Sequence, residues 1–128
     1  MKYLLDTDVI VDHLRKIKML DEAIIASGAG ISIITLAELF HGAYKSKTLE
    51  KSLTTIQEML ELLHLQIVNL DTTVVTEFGR MKAVLEKGGK RLEDFDLLIG
   101  ACAKANGLML VTRNLKHFAR VQGLKVKN

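Results

Sequence analysis

Apolar positions in this chain follow two rhythms, short unbroken runs and longer stripes at helical spacing. Residues 3 to 6 (Tyr3-Leu4-Leu5-Asp6) are apolar without alternation until the closing acid, and Ile31-Ser32-Ile33-Ile34 forms a second such run. Runs of this kind mark strands covered on both faces. Gln66 to Leu70 and Leu108 to Val111 read as two more strands, and Leu124 to Val126 as a short fifth. Helix-like sequence fills Val9 to Arg15 and Leu20 to Ser27, where Gly28-Ala29-Gly30 intervenes, and a further helix runs from about Leu36 to Tyr44. From Thr48 to His64, Leu49, Leu53, Ile56, Leu60 and Leu63 recur at spacings of four, three, four and three, which is one helical stripe. Thr72 to Lys87 reads as an amphipathic helix stopped by Gly88-Gly89. Asp94 to Asn106 is apolar nearly all round, as a helix buried against a sheet should be, and Gly107 supplies its stop. Strands alternating with helices predict a three-layer α/β/α domain with a central parallel sheet of four or five strands and right-handed crossovers.

Composition narrows the class. At 128 residues, with no proline and no Gly/Ser-rich linker, the chain is expected to form one domain over residues 1–128. Its 48% hydrophobic and 26% charged residues suit a soluble globular protein. No apolar stretch approaches the roughly 18 to 20 residues of a membrane helix, and Met1-Lys2-Tyr3-Leu4-Leu5-Asp6 meets an acid too early for a signal peptide. The cytoplasm is the expected compartment. Cys102, the single cysteine, lies in an Ala- and Leu-rich run and reads as a small buried hydrophobe. The net charge of +3 is unevenly spread, with Lys and Arg frequent from Arg80 to Arg91 and from Arg113 to Lys127. That balance is compatible with a polyanionic partner.

The chemistry sits at the ends of the runs. Asp6 closes the first strand, Glu38 follows the second, Asp96 opens the buried helix, and Asn114 lies just past the fourth strand. A parallel sheet gathers residues of this placement at one edge, because ligands bind beyond the carboxyl ends of its strands. Carboxylates so gathered repel, and a hard divalent cation is the usual remedy. Each position also has a structural reading. Asp6 and Asp8, flanking Thr7, suit helix N-caps, Thr35-Leu36-Ala37-Glu38 spells a capping box, and Glu93, Asp94 and Asp96 suit a helix dipole. Asn114 after Thr112-Arg113 suits a turn. Capping does not need two acids and a hydroxyl, however, and three acids in four positions exceed what a dipole requires. The four histidines, His13, His41, His64 and His117, have no zinc-site spacing, so oxygen ligands and Mg²⁺ or Mn²⁺ are favoured.

Four segments in this order resemble the PIN-domain ribonucleases, and within them the VapC-type toxins of toxin–antitoxin pairs: Leu4-Leu5-Asp6-Thr7-Asp8-Val9-Ile10, Thr35-Leu36-Ala37-Glu38-Leu39-Phe40-His41-Gly42, Asp96-Leu97-Leu98-Ile99-Gly100-Ala101-Cys102-Ala103, and Leu110-Val111-Thr112-Arg113-Asn114-Leu115-Lys116-His117-Phe118. The resemblance covers almost the whole chain. It implies metal-dependent hydrolysis of RNA, with Asp6, Glu38 and Asp96 converging on one cation and Asn114 in a fourth place where many members carry Asp. It implies that Thr112 steadies the acidic cluster. Asp8 and Asp94 stand beside it as supporting acids outside the pattern's core positions. Arg113 and Lys116 are expected to hold phosphates of single-stranded or looped RNA. The resemblance further implies an antitoxin whose tail crosses the acidic cleft and a homodimer, for which the Leu49-to-Leu63 stripe with Leu39-Phe40 is the expected surplus apolar surface.

Two other readings remain open. Asp6-Thr7-Asp8-Val9 has the opening of a haloacid-dehalogenase-like phosphohydrolase, with Asp6 as nucleophile and Asp8 as general acid/base. Against it stand Ile10, the absence of a distal GDxxxD pair and the lack of room for a cap. The uncharged Asn114 suits a non-catalytic RNA- or partner-binding module of the same fold.

Overall fold

In a computed structural model describing residues 1–128, five parallel strands form one sheet. They are β1 (Tyr3–Leu5), β2 (Ala29–Ser32), β3 (Gln66–Val68), β4 (Met109–Val111) and β5 (Val126–Lys127), in the spatial order β3-β2-β1-β4-β5. Seven helices connect them: α1 (Thr7–Leu14), α2 (Glu22–Ala26), α3 (Ile33–Lys45), α4 (Leu49–Leu62), α5 (Thr72–Lys87), α6 (Asp94–Ala105) and α7 (Leu115–Phe118).

Alternate strand residues point to opposite faces of a sheet, and both faces here are covered. Leu4 and Leu110 join a buried cluster with Val74 and Met81 of α5, Leu97 and Ile99 of α6 and Phe118 of α7. Their neighbours Leu5 and Val111 point the other way, into a cluster with Ile10 of α1, Leu39 of α3, and Ile56 and Met59 of α4. This double burial explains why the strands are apolar runs rather than alternating ones. It is the three-layer arrangement with a central parallel sheet.

Several boundaries differ from the sequence reading. The strand expected at Ile31–Ile34 is Ala29–Ser32, and the following helix begins at Ile33 rather than near Leu36. The Ser32 hydroxyl decides this, because it accepts the Ile34 amide at 2.9 Å and caps α3. The fifth strand shifts from Leu124–Val126 to Val126–Lys127, and the short helix α7 was not anticipated. The expected stop at Gly107 takes the form of a Schellman turn. Gly107 has φ +65°, its amide bonds Lys104 O at 3.2 Å, and the Leu108 amide bonds Ala103 O at 2.8 Å.

The α4 stripe does not supply surplus surface. Ile56 is buried, and Leu49, Leu53, Leu60 and Leu63 pack against the same inner cluster. Exposed apolar side chains lie elsewhere, at Phe40 and Tyr44 of α3, Leu62 and Phe95 among others.

The topology locates a crevice. From β1 the chain steps through β2 to β3 on one side, whereas β4 and β5 lie on the other. The switch falls between β1 and β4, and the carboxyl ends of strands at such a point are where open α/β sheets bind ligands.

Candidate metal-binding active site

Leu5 pairs with Val111 across the switch point, so the next residues, Asp6 and Thr112, emerge side by side. Thr112 Oγ1 donates to Asp6 Oδ2 at 2.8 Å. The other oxygen, Asp6 Oδ1, accepts the Thr7 amide at 2.8 Å and caps α1. Asp6 is only 3% exposed. Burial, then the charge of Asp8, pushes its pKa from 3.8 up to about 7, with Asp96 adding to the rise and the bonds from Thr112 and Thr7 opposing it.

Asp8 follows in the first turn of α1. Its Oδ2 accepts the Arg113 amide at 3.1 Å and lies 3.5 Å from Thr112 Oγ1. Its Oδ1 is buried and has no hydrogen-bond partner. Burial raises the Asp8 pKa, while the amide and charge of Arg113 pull against it.

Glu38 arrives from α3, which follows β2, the strand beside β1. Because Ser32 caps that helix, Thr35 and Glu38 fall one turn apart on a common face. Thr7 Oγ1 sits 2.6 Å from Glu38 Oε1 and 3.0 Å from Thr35 Oγ1. A hydroxyl has one proton and a carboxylate only accepts, so Thr7 donates to Glu38 and takes its second bond from Thr35. The capping box suggested by Thr35-Leu36-Ala37-Glu38 does not form. Glu38 reaches across to α1 instead.

Asp96 enters from the first turn of α6. Its pKa is raised by burial first, then by Glu38 and Glu93, with a smaller contribution from Asp8, while His117 lowers it. Asp96 thus shares a rim with Asp6, Asp8 and Glu38 and is repelled by each, and Asp6 is repelled by Asp8. Asp94 turns outward and pairs with Lys82 at 2.9 Å. Asn114 stands at the N-cap position of α7 without capping it, and its backbone N–H donates to Thr112 Oγ1 at 3.0 Å. Beside Asp96, an open groove of about 730 Å³ is lined by Asn114, His117, Asp94, Lys82, Lys90 and Arg91 among others.

The donor set is all oxygen and suits a hard cation. The unpartnered Asp8 Oδ1 and the raised pKa of Asp6 are what carboxylates show when brought together with too little positive charge nearby. No three acidic, His or Cys side chains are grouped closely enough here to enclose an ion. Hydrogen bonds explain the spread, since Thr7 holds Glu38, and Thr7 and Thr112 hold Asp6. The expected convergence of Asp6, Glu38 and Asp96 on one cation is therefore not closed in this arrangement, although the chemistry of the donors suits a hard cation at the rim.

Arg113 is committed elsewhere than expected. Its Nε lies 3.3 Å from Asp12 Oδ2 and 3.8 Å from Asp8 Oδ2, so it braces α1. Lys116 is exposed on α7 and makes no ion pair. Sequence reasoning passed over Thr7, Thr35, Asp12 and His117. Thr7 carried a signal in its place between two acids. Asp12, one turn beyond Asp8 in α1, is a buried acid that only the fold exposes.

A family model for the PIN domain matches residues 3–124. Ribonuclease VapC2 of Haemophilus influenzae is 34% identical over 131 residues, spanning 100% of this chain and 98% of its own length. The tRNA(fMet)-specific endonuclease VapC of Salmonella typhimurium is 30% identical over 135 residues, with coverage of 100% and 98%. Among solved structures, VapBC2 from Rickettsia felis bound to a DNA fragment from their promoter matches with a TM-score of 0.89 at 30% identity, covering 100% of this chain and 98% of that one. With a family model covering nearly its whole length and relatives of this identity, the chain belongs to the PIN-domain family.

Proposed function

We propose that this chain, acting as one nuclease unit, is an endoribonuclease that hydrolyses RNA phosphodiester bonds with Mg²⁺ or Mn²⁺ and serves as the toxin of a toxin–antitoxin pair. The observation that carries the reading is the set of crowded carboxylates at the switch point of a PIN domain, one with a buried oxygen that nothing satisfies. A phosphodiester is itself an anion, so carboxylates alone would repel it. When bound, the cation polarises the phosphoryl oxygen, lowers the pKa of attacking water and offsets the charge of the transition state.

Asp6, Glu38 and Asp96 hold that cation in this reading. Thr112 and Thr7 orient Asp6 and Glu38, and Asp8 supports them with its remaining oxygen. Asn114 faces the groove as an uncharged fourth member and orients water. Lys116 contributes charge for phosphates, and Arg113 acts through its grip on Asp8 as much as through any phosphate. Single-stranded or looped RNA is the substrate class, since such a backbone bends into an open groove.

The similarity to VapBC2 supports a VapB-type antitoxin as partner. The acidic rim would draw an Arg or Lys of its tail. We further propose pairing of two copies, with Phe40 and Tyr44, exposed one turn apart on α3, replacing the α4 stripe as the surface. A strict monomer by light scattering at micromolar concentration refutes pairing alone. No helix is long and apolar enough to cross a membrane, and we place the protein in the cytoplasm with its RNA.

The haloacid-dehalogenase reading loses to the family match. Incubation of the purified protein with total RNA, with and without Mn²⁺, tests the proposal. New RNA ends are expected only with Mn²⁺ and not with Asp96→Asn. RNA that is bound but never shortened would make the chain a binding module.

A further inference from the structure

The two basic stretches of the sequence meet beside the acidic rim. Helix α5 ends in a Schellman turn: Gly89 has φ +69°, its amide bonds Glu86 O at 3.1 Å, and the Lys90 amide bonds Leu85 O at 2.9 Å. The turn fixes where Lys90 and Arg91 leave the helix. Arg120, from the other basic stretch, donates from Nη1 to the Arg91 carbonyl at 2.8 Å and ties the loop down. At its far end, Lys82 Nζ bonds Asp94 Oδ1 at 2.9 Å. The loop from Gly88 to Glu93 is thereby held at three points.

Charge separates its members. Lys82 is neutralised by Asp94, whereas Lys90 and Arg91 are exposed, line the groove and have no carboxylate within ion-pair distance. Glu86 and Glu93 share the groove without pairing to either. The same groove reaches Asp96, Asn114 and His117. Two free cations held on a pinned loop, one groove away from the reacting centre, suit a chain of phosphates.

We propose that Lys90 and Arg91 form a phosphate-binding subsite that grips the RNA backbone on one side of the bond to be cut. The inference rests on the ribonuclease reading. Contacts of this kind fix register and carry no base information, so the subsite sets affinity and leaves sequence choice to other surfaces.

Fluorescence anisotropy with a short fluorescein-labelled single-stranded RNA tests it, in the full-length Asp96→Asn protein with EDTA so that the probe stays intact. Two phosphate contacts contribute a slope of about 1.4 to the fall of log affinity with log salt for a single strand. Between 50 and 200 mM salt, the Asp96→Asn parent should therefore lose roughly sevenfold more affinity than a variant that also carries Lys90→Ala and Arg91→Ala. Lys45→Ala with Lys47→Ala, which removes equal charge from the exposed end of α3, should keep the parent slope. In the cleaving enzyme, the Lys90→Ala/Arg91→Ala change should raise KM far more than it lowers kcat and leave the cleavage sites unchanged. An unchanged slope in that variant, or an equal loss in the Lys45/Lys47 control, overturns the subsite while the ribonuclease reading stands. Failure of the Asp96→Asn parent to bind RNA, together with failure of the wild type to cut it with Mn²⁺, overturns both.

Discussion

Asp6→Asn should change how stability depends on pH in the metal-free protein, and the size of the effect follows from burial. Folding moves the Asp6 pKa from 3.8 to about 7. Between those values the folded chain keeps a proton that the unfolded chain has released. The contribution of Asp6 is therefore complete below about pH 4 and is lost as the pH climbs through about 7. At 1.36 kcal/mol per pKa unit the loss is about 4 kcal/mol. Against a typical domain stability of about 5–15 kcal/mol it is large enough to read directly.

Asparagine at position 6 keeps the geometry. Its carbonyl can accept the Thr7 amide, and its NH₂ can donate to Thr112 Oγ1, freeing that hydroxyl to turn toward Asp8 Oδ2, 3.5 Å away. Urea unfolding followed by circular dichroism, in EDTA from pH 4 to 8, is the assay. Wild type should lose about 4 kcal/mol more than Asp6→Asn across that range, and saturating Mg²⁺ should restore the wild type alone above pH 7. Parallel curves for the two proteins, or a wild type that gains stability as pH rises, would refute the buried, crowded carboxylate.

Three further outcomes follow from the same rim. Asp96→Asn should abolish RNA cleavage while leaving metal-free stability at pH 8 equal to or above wild type, since it removes a charge that Glu38, Glu93 and Asp8 repel; unfolding of this variant, or full activity, counts against the assignment. Asn114→Asp should tighten Mn²⁺ binding in calorimetry, and no change would put Asn114 beyond the cation's reach. Thr7→Val should cost about 1 kcal/mol of stability yet weaken Mn²⁺ binding and turnover by releasing Glu38, and unaltered Mn²⁺ affinity would show that the Thr7 bond does not position it.

The sheet was legible because strands buried on both faces must be continuous apolar runs, and Leu4-Leu5 and Leu108-to-Val111 are just that. The same feature blurred β2, where Ile31-Ser32-Ile33-Ile34 could continue as strand or begin a buried helix. Only the Ser32 cap decides between them. Asp6, Glu38 and Asp96 stood out because each ends or opens a run, and the sheet brings them to one edge. What stayed hidden were contacts made across the fold: Thr7 with Glu38, 31 residues apart, and Arg120 with Arg91, 29 apart. Neither follows from periodicity. The α4 stripe misled for a related reason, since a stripe marks a buried face without saying whether its cover is the same chain or another copy.

Direct titration of Mn²⁺, followed by the electron paramagnetic resonance signal of the free ion, tests the acidic rim as a cation site. Wild type should take up Mn²⁺, and Asp6→Asn, Glu38→Gln and Asp96→Asn should each weaken that uptake by at least about tenfold, or about 1.4 kcal/mol. Wild type that leaves the Mn²⁺ signal undiminished, or three variants that bind as it does, would contradict the account.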